Sequence, residues 1–112
     1  MEKYLMFAFT APVEGKEDEY NHWYDNIALP LYRDIPNTTP LGRYKAVPHK
    51  GYEFERGNDY GYVSVYEFEA DDLDAHFKVV KEFVATEGPK RGYEFSDTID
   101  KTKFFEPLFV KI

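Results

Sequence analysis

The 112-residue sequence contains no cysteine, which excludes a disulfide framework, a thiolate nucleophile and a Cys-ligated metal. No apolar run approaches the roughly eighteen residues of a membrane-spanning helix. Positive charge is scarce: 14 Lys and Arg against 21 Asp and Glu give 14 − 21 = −7. That balance has the wrong sign for a phosphate backbone, so nucleic acid is not expected as a partner. Gly-x-Gly-x-x-Gly and Gly-x-x-x-x-Gly-Lys loops are missing, as is a Gly-x-Ser-x-Gly elbow, which argues against nucleotide binding and serine hydrolysis. The histidines, His22, His49 and His76, are far apart and form no His-x-x-x-His pair, so no metal is expected. The opening Met1-Glu2-Lys3-Tyr4 lacks the basic-then-apolar layout of a signal peptide, and a cytoplasmic location is the expectation.

Aromatic residues, in contrast, are abundant: ten Tyr, ten Phe and one Trp, 19% of the chain. With 43% hydrophobic residues the chain can bury enough apolar surface to offset the entropy of ordering, and its length suits a single domain over 1–112. The rings exceed what one small core needs, and their placement carries the rest of the reading.

Tyr4 to Phe9 is continuously apolar and too short for an ordinary helix, which predicts a strand buried on both faces. Glu17, Asp18 and Glu19 suit the positive end of a helix dipole, and Tyr20, Trp23, Tyr24 and Ile27 follow at helical spacing. Pro30 is expected to kink or end that helix. Leu41 to Val47 reads as a second strand, and Pro48 to Asp59 as a long connection with Gly51, Gly57 and an Asn58-Asp59 turn. In the third strand, Tyr60 to Glu69, alternation puts Tyr60, Tyr62, Ser64, Tyr66 and Phe68 on one face. Asp71, Asp72 and Asp74 open a second helix with Leu73, Phe77, Val80 and Val84 inward, and Glu87-Gly88-Pro89 stops it. Phe104 to Val110 is the last strand, with Pro107 pointing to an edge or bulge.

The order β-α-β-β-α-β predicts an α+β, ferredoxin-like fold: a four-stranded antiparallel sheet with two helices on one face. Both faces of the first strand are apolar, because Leu5, Phe7 and Phe9 alternate with Tyr4, Met6 and Ala8. An uncovered apolar sheet face marks an interface, and a homodimer with its two sheets face to face is expected.

The string Glu17 to Pro30, with Asn21, Trp23, Tyr24, Asp25, Leu29 and Pro30 in register, resembles the helix of EthD-like members of the dimeric α/β-barrel superfamily. The resemblance implies a dimeric barrel of ferredoxin-like subunits, each with a ligand cavity between helices and sheet. It also implies cofactor-free lyase, cyclase, dehydratase, isomerase or monooxygenase work on small molecules. Where such proteins often carry a His before the aliphatic-Pro pair, this chain has Ala28, so a reaction relying on that imidazole is not inherited. By helical phase, Ala28 should lie on a flank of the helix beside Asn21 and Asp25.

His76, on the inward side of the second helix, is the leading titratable candidate. It is either a general acid or base tuned by burial, or a structural histidine bonded to a tyrosine or a carbonyl. Haem ligation by His76, known among relatives, is a minor reading, and no cofactor is expected. Tyr62, Tyr66 and Ser64 share a strand face, and Tyr44 is expected to face the same cavity; they are packing residues or polarisers of a substrate carbonyl. Trp23, Tyr24 and Phe77 would wall the cavity, while Asn21 would assist and Asp25 would bind substrate or sit solvated. Arg43 would pair with an acidic ligand or a carboxylate, and His49 sits in a loop that is exposed or closes a pocket mouth. The leading expectation is a cofactor-free enzyme moving a proton on an aromatic or polyketide-like molecule, with His76, Tyr66 and Asn21 catalytic. The alternative is a non-catalytic dimeric binding or accessory protein for a hydrophobic metabolite.

Overall fold

A computed structural model describes residues 1–52, 60–94 and 96–112. The turn expected at Gly57, Asn58 and Asp59 lies outside the described residues. Strand β1 (Glu2–Thr10) leads to a helical arm in three parts: α1 (Glu17–Trp23), a π-helical turn (Tyr24–Ala28) and α2 (Leu29–Arg33). Strands β2 (Thr38–Lys45) and β3 (Tyr62–Ala70) precede helix α3 (Leu73–Glu87), and β4 (Leu108–Val110) closes the order. The four strands form one antiparallel sheet in the order β2-β3-β1-β4, the ferredoxin-like arrangement. No helix among the described residues is long and apolar enough to cross a membrane.

Local chemistry explains most boundaries. Asp72 caps α3 by accepting a hydrogen bond from the Ala75 backbone N–H at 3.1 Å, which satisfies one orphan donor of the first turn. Pro107 sits beside an edge strand as expected, and its carbonyl accepts from the Phe7 N–H at 3.1 Å. The ladder there is shorter than the expected Phe104–Val110, reduced to Leu108–Val110 and a single bridge between Phe105 and Phe9.

Three expectations are corrected. Of the two outcomes expected at Pro30, the helix does not end there but runs on to Arg33. The preceding π turn, in which the Leu29 N–H donates to the Tyr24 carbonyl five residues back, lets the chain pass through a residue with no N–H. Widening the turn stretches the buried stripe to Tyr20, Tyr24, Ala28 and Leu31 in place of one through Ile27. Ala28 is therefore fully buried in the core with Tyr20, Tyr24, Tyr62 and Ile99, not on a flank.

The second correction concerns β2, which lies at 38–45 and not 41–47. It carries a bulge: Pro40 pairs with Tyr66 but Gly42 pairs with Val65. One extra residue reverses the alternation beyond it. Arg43 and Lys45 turn to the helix side, and Tyr44, 58% exposed, turns to the other. Gly42 has φ +145°, a conformation open to glycine and costly for other residues.

The third concerns Tyr60, which leaves the alternation just before β3. Its ring packs on Phe9 and Phe105, away from Tyr62. That side of the sheet, with Leu5, Phe7, Phe9, Val65 and Phe109, has no helix over it among the described residues, and Phe105 and Phe109 are about half exposed.

Candidate functional site

Between the helices and the sheet lies a cavity of about 210 Å³. Its floor is the helix-side face of the central strands, with Met6, Ala8 and Thr10 from β1 and Tyr66 and Phe68 from β3. The helical arm contributes Trp23, Tyr24 and Tyr32, and α3 contributes His76, Phe77 and Val80. The segment after α3 closes it with Tyr93, Ile99, Phe104 and Glu106. Trp23 is held by donating its indole N–H to the Glu94 carbonyl at 3.2 Å.

Its polar groups are few. His76 is buried, its ring stacked on Phe68 with centroids 4.2 Å apart and planes 5° from parallel, and with Phe77 against its edge. Neither ring nitrogen has a hydrogen-bond partner among the described residues. Of the two expected readings, the one with a histidine bonded to tyrosine or carbonyl finds no such bond here. Burial disfavours the imidazolium and lowers the His76 pKa from its ordinary 6.5. Burial also raises Tyr66, whose phenol stays protonated, and raises Tyr24 to about 12. Tyr32 shifts upward for the same reason, and its hydroxyl meets that of Tyr93 at 3.3 Å. Glu106 belongs to an exposed segment, yet its carboxyl at the cavity wall loses enough solvent to move its pKa up from 4.5.

A second polar group lies on the other side of Tyr20 and Tyr24. The Arg43 guanidinium, its side chain 10% exposed, donates to Asp25 Oδ1 at 3.0 Å and Asn21 Oδ1 at 2.8 Å. It sits 4.6 Å from the Tyr24 ring centroid, 5.3 Å from Tyr20 and 5.5 Å from Tyr62. Asn21 Nδ2 reaches the Tyr62 hydroxyl at 3.4 Å, Tyr62 donates to Glu17 Oε1, and Lys45 donates to the same oxygen at 2.8 Å. Lys45 first, then Tyr62, holds the Glu17 carboxyl below its ordinary range.

Of the residues expected from sequence, His76, Tyr66, Trp23, Tyr24 and Phe77 therefore line one cavity. Asn21, Asp25 and Tyr62 join the Arg43 network outside it, and Tyr44 lies on the opposite sheet face. Ser64 is buried beside Tyr66, and His49 is exposed with its ring near Tyr52. Sequence reasoning missed Thr10, Tyr32, Tyr93 and Glu106. Helical phase from Tyr24 and Ala28 could have found Tyr32, but Tyr93 and Glu106 lie in irregular segments without a period. Glu19 and His22 are exposed on α1 at a spacing that suits one ligand pair, yet no three His, Asp or Glu side chains among the described residues gather as a metal site would require.

No protein family profile matches the chain, and no curated protein does. Solved structures do. An EthD family protein from Bacillus halodurans superposes with a TM-score of 0.52 at 15% identity, over 100% of both chains. A structural-genomics protein from Agrobacterium tumefaciens superposes with a TM-score of 0.54 at 10% identity, covering 98% of this chain and 91% of that one. The EthD-like likeness drawn from residues 17–30 thus extends, as fold, over the whole chain.

Proposed function

We propose that the protein is an enzyme that moves a proton on a small aromatic or polyketide-like carbonyl compound, with His76 as the base and Tyr66 polarising the carbonyl. One observation carries this reading: an aromatic-walled cavity combines a buried, unpaired imidazole with phenols that burial keeps protonated. A neutral imidazole near pH 7 can take a proton from a carbon next to a carbonyl. A protonated phenol aimed at that carbonyl stabilises the enolate oxygen as charge develops. Aromatic walls hold the substrate in a reactive pose. At about 210 Å³ the cavity exceeds the roughly 150 Å³ that accepts benzene and falls short of the ~300 Å³ lower end for drug-sized ligands, which favours one or two rings. No step draws on a metal or cofactor. Asn21 takes no part, since its side chain is engaged by Arg43 and Tyr62.

The working unit in this proposal is a homodimer. The uncovered sheet face with Phe7, Phe9, Phe105 and Phe109 is an apolar patch of the kind that seats a second copy. Light scattering at micromolar concentration should give twice the monomer mass, and a monomer would remove this part of the proposal.

Trp23, the single tryptophan, reports cavity occupancy by its fluorescence. With 1-tetralone as probe, quenching should accompany deuterium exchange at the carbon next to the carbonyl in D₂O. His76→Ala should slow that exchange about a hundredfold. Quenching without exchange above buffer supports the second reading, a binding or accessory protein. Ala28 favours that reading, because the position where EthD-like proteins often carry an imidazole is here a fully buried methyl group. Exchange that persists in His76→Ala removes His76 from the mechanism.

A further inference from the structure

Seven aromatic side chains connect the cavity wall to the polar network around Arg43 and Glu17 without a gap. Tyr66 meets Tyr32 at 5.4 Å between ring centroids, and Tyr32 meets Tyr93 at 6.3 Å. Tyr93 lies 5.4 Å from Trp23, and Trp23 lies 4.9 Å from Tyr24. From Tyr24 the steps are 5.0 Å to Tyr20 and 5.1 Å from Tyr20 to Tyr62. The chain ends on a carboxylate, because Tyr62 donates its hydroxyl hydrogen to Glu17, whose side chain is 48% exposed.

Electron tunnelling weakens exponentially with distance, so rings in contact exchange an electron vacancy readily. Tyrosine and tryptophan are the most easily oxidised side chains of a protein that has no cysteine. An oxidised tyrosine is a strong acid, and it keeps the vacancy only where its proton has somewhere to go. Tyr24 and Tyr32 are poorly placed: Tyr24 is buried and Tyr32 partly so, and among the described residues their hydroxyls meet only those of Thr10 and Tyr93. The Arg43 guanidinium over the Tyr20, Tyr24 and Tyr62 rings also opposes a positive ring there. A neutral radical escapes that repulsion, and among the seven rings Tyr62 is the one whose hydroxyl is hydrogen-bonded to a carboxylate among the described residues.

We propose that this ring chain is a relay that carries a one-electron oxidation from the cavity wall to Tyr62, where it rests as a neutral tyrosyl radical. The oxidant is a strong one-electron acceptor of the peroxyl or hydroxyl radical class arising at the cavity. A wall ring loses one electron and reduces it. Electrons then step along the chain toward the cavity, the last one leaving Tyr62. The Tyr62 O–H bond breaks as that electron leaves, and its proton passes to Glu17 Oε1. A one-electron reductant of the ascorbate class, acting at the exposed Glu17 end, returns the electron, and the proton returns from Glu17. The relay spares the cavity groups and a bound substrate from oxidation. It stands independently of the acid/base reading, because it uses neither His76 nor a carbonyl.

Flash photo-ionisation at the red edge of tryptophan absorption, where tyrosine is transparent, creates the vacancy at Trp23 alone. Transient absorption should show the tryptophan radical converting into a tyrosyl radical. Tyr62→Phe, which keeps the ring and removes the O–H, should lower the tyrosyl yield about tenfold or more, and Glu17→Gln should do the same with Tyr62 intact, the loss of one charge-assisted hydrogen bond. Tyr44→Phe, off the chain and exposed, should leave the yield unchanged. Circular dichroism checks that each variant folds, and exposed Glu17→Gln carries the test if Tyr62→Phe does not. A tyrosyl yield that survives Glu17→Gln, or a loss equalled in Tyr44→Phe, overturns the relay.

Discussion

Two polar groups flank the Tyr20–Tyr24 pair, and they are built on opposite principles. On one side, Arg43, Asp25, Asn21, Glu17, Lys45 and Tyr62 answer one another, each charge facing an opposite charge or a hydrogen-bonding partner. On the other, His76, Tyr66 and Glu106 face a cavity with no counter-charge among the described residues, and burial displaces each pKa toward the neutral form. The first pattern fastens β2 to the helical arm. The second is costly for folding without an evident structural return, and perturbed groups gathered in a cleft are where chemistry is expected.

The sharpest way to break the contrast is to remove Arg43. Its guanidinium is nearly buried, its Nε has no hydrogen-bond partner among the described residues, and it gathers three rings and two side-chain acceptors. Arg43→Ala should cost about 3 kcal/mol in urea unfolding, the scale for disrupting a largely buried charge network. A loss under 1 kcal/mol would mean that the network is ornamental.

Gly42→Ala tests the bulge that turns Arg43 inward. Its φ of +145° strains any other residue, while the added methyl meets only the Tyr44 ring at ordinary contact distance. Backbone strain alone predicts a loss of about 1–3 kcal/mol. A neutral result would show that the strand can shift register at small cost.

Asp25→Ala should cost less than about 1 kcal/mol, since Asp25 is 61% exposed and water replaces it at the guanidinium. An effect equal to that of Arg43→Ala would make the ion pair, and not the ring stack, the main fastening.

The smallest effects concern pH on the cavity side. His76 has a folded pKa below its unfolded 6.5, so the unfolded chain takes up the proton first and stability falls as pH drops from 6.5 toward the folded value. His76→Phe, which keeps a ring against Phe68, should flatten that fall in denaturant midpoints. Glu106 has the opposite sign: its folded pKa is raised, so its contribution is full below 4.5 and lost as pH climbs through the folded value. Glu106→Gln should flatten that loss, and identical pH profiles for wild type and both variants would refute the desolvation of the cavity.

The element order, the acidic start of α1, the Asp72 cap and the edge position of Pro107 were legible because each follows from neighbours in sequence. His76, Tyr66, Trp23, Tyr24 and Phe77 were also legible as one cavity's lining, since regular period places them on the inward faces of helix and strand. Tyr44 and Tyr62 were not. A single extra residue at Leu41 reverses the faces of β2, and no local pattern announces it. Tyr62 does share its strand face with Tyr66, but Tyr20 and Arg43 fill the space above it. Glu106 and Tyr93 arrive from segments with no period to read.

The aromatic surplus shows the same division. By itself the sequence determined that a ring-rich, cysteine-free, acidic chain folds as β-α-β-β-α-β, because hydrophobic period and capping act over a few residues at a time. Only the tertiary structure decided which rings wall the cavity, which form a continuous chain to Glu17, and which remain on the uncovered sheet face. Those assignments turn on one bulge and one π turn, each a shift of a single residue, and the resulting contacts are made between elements distant in sequence.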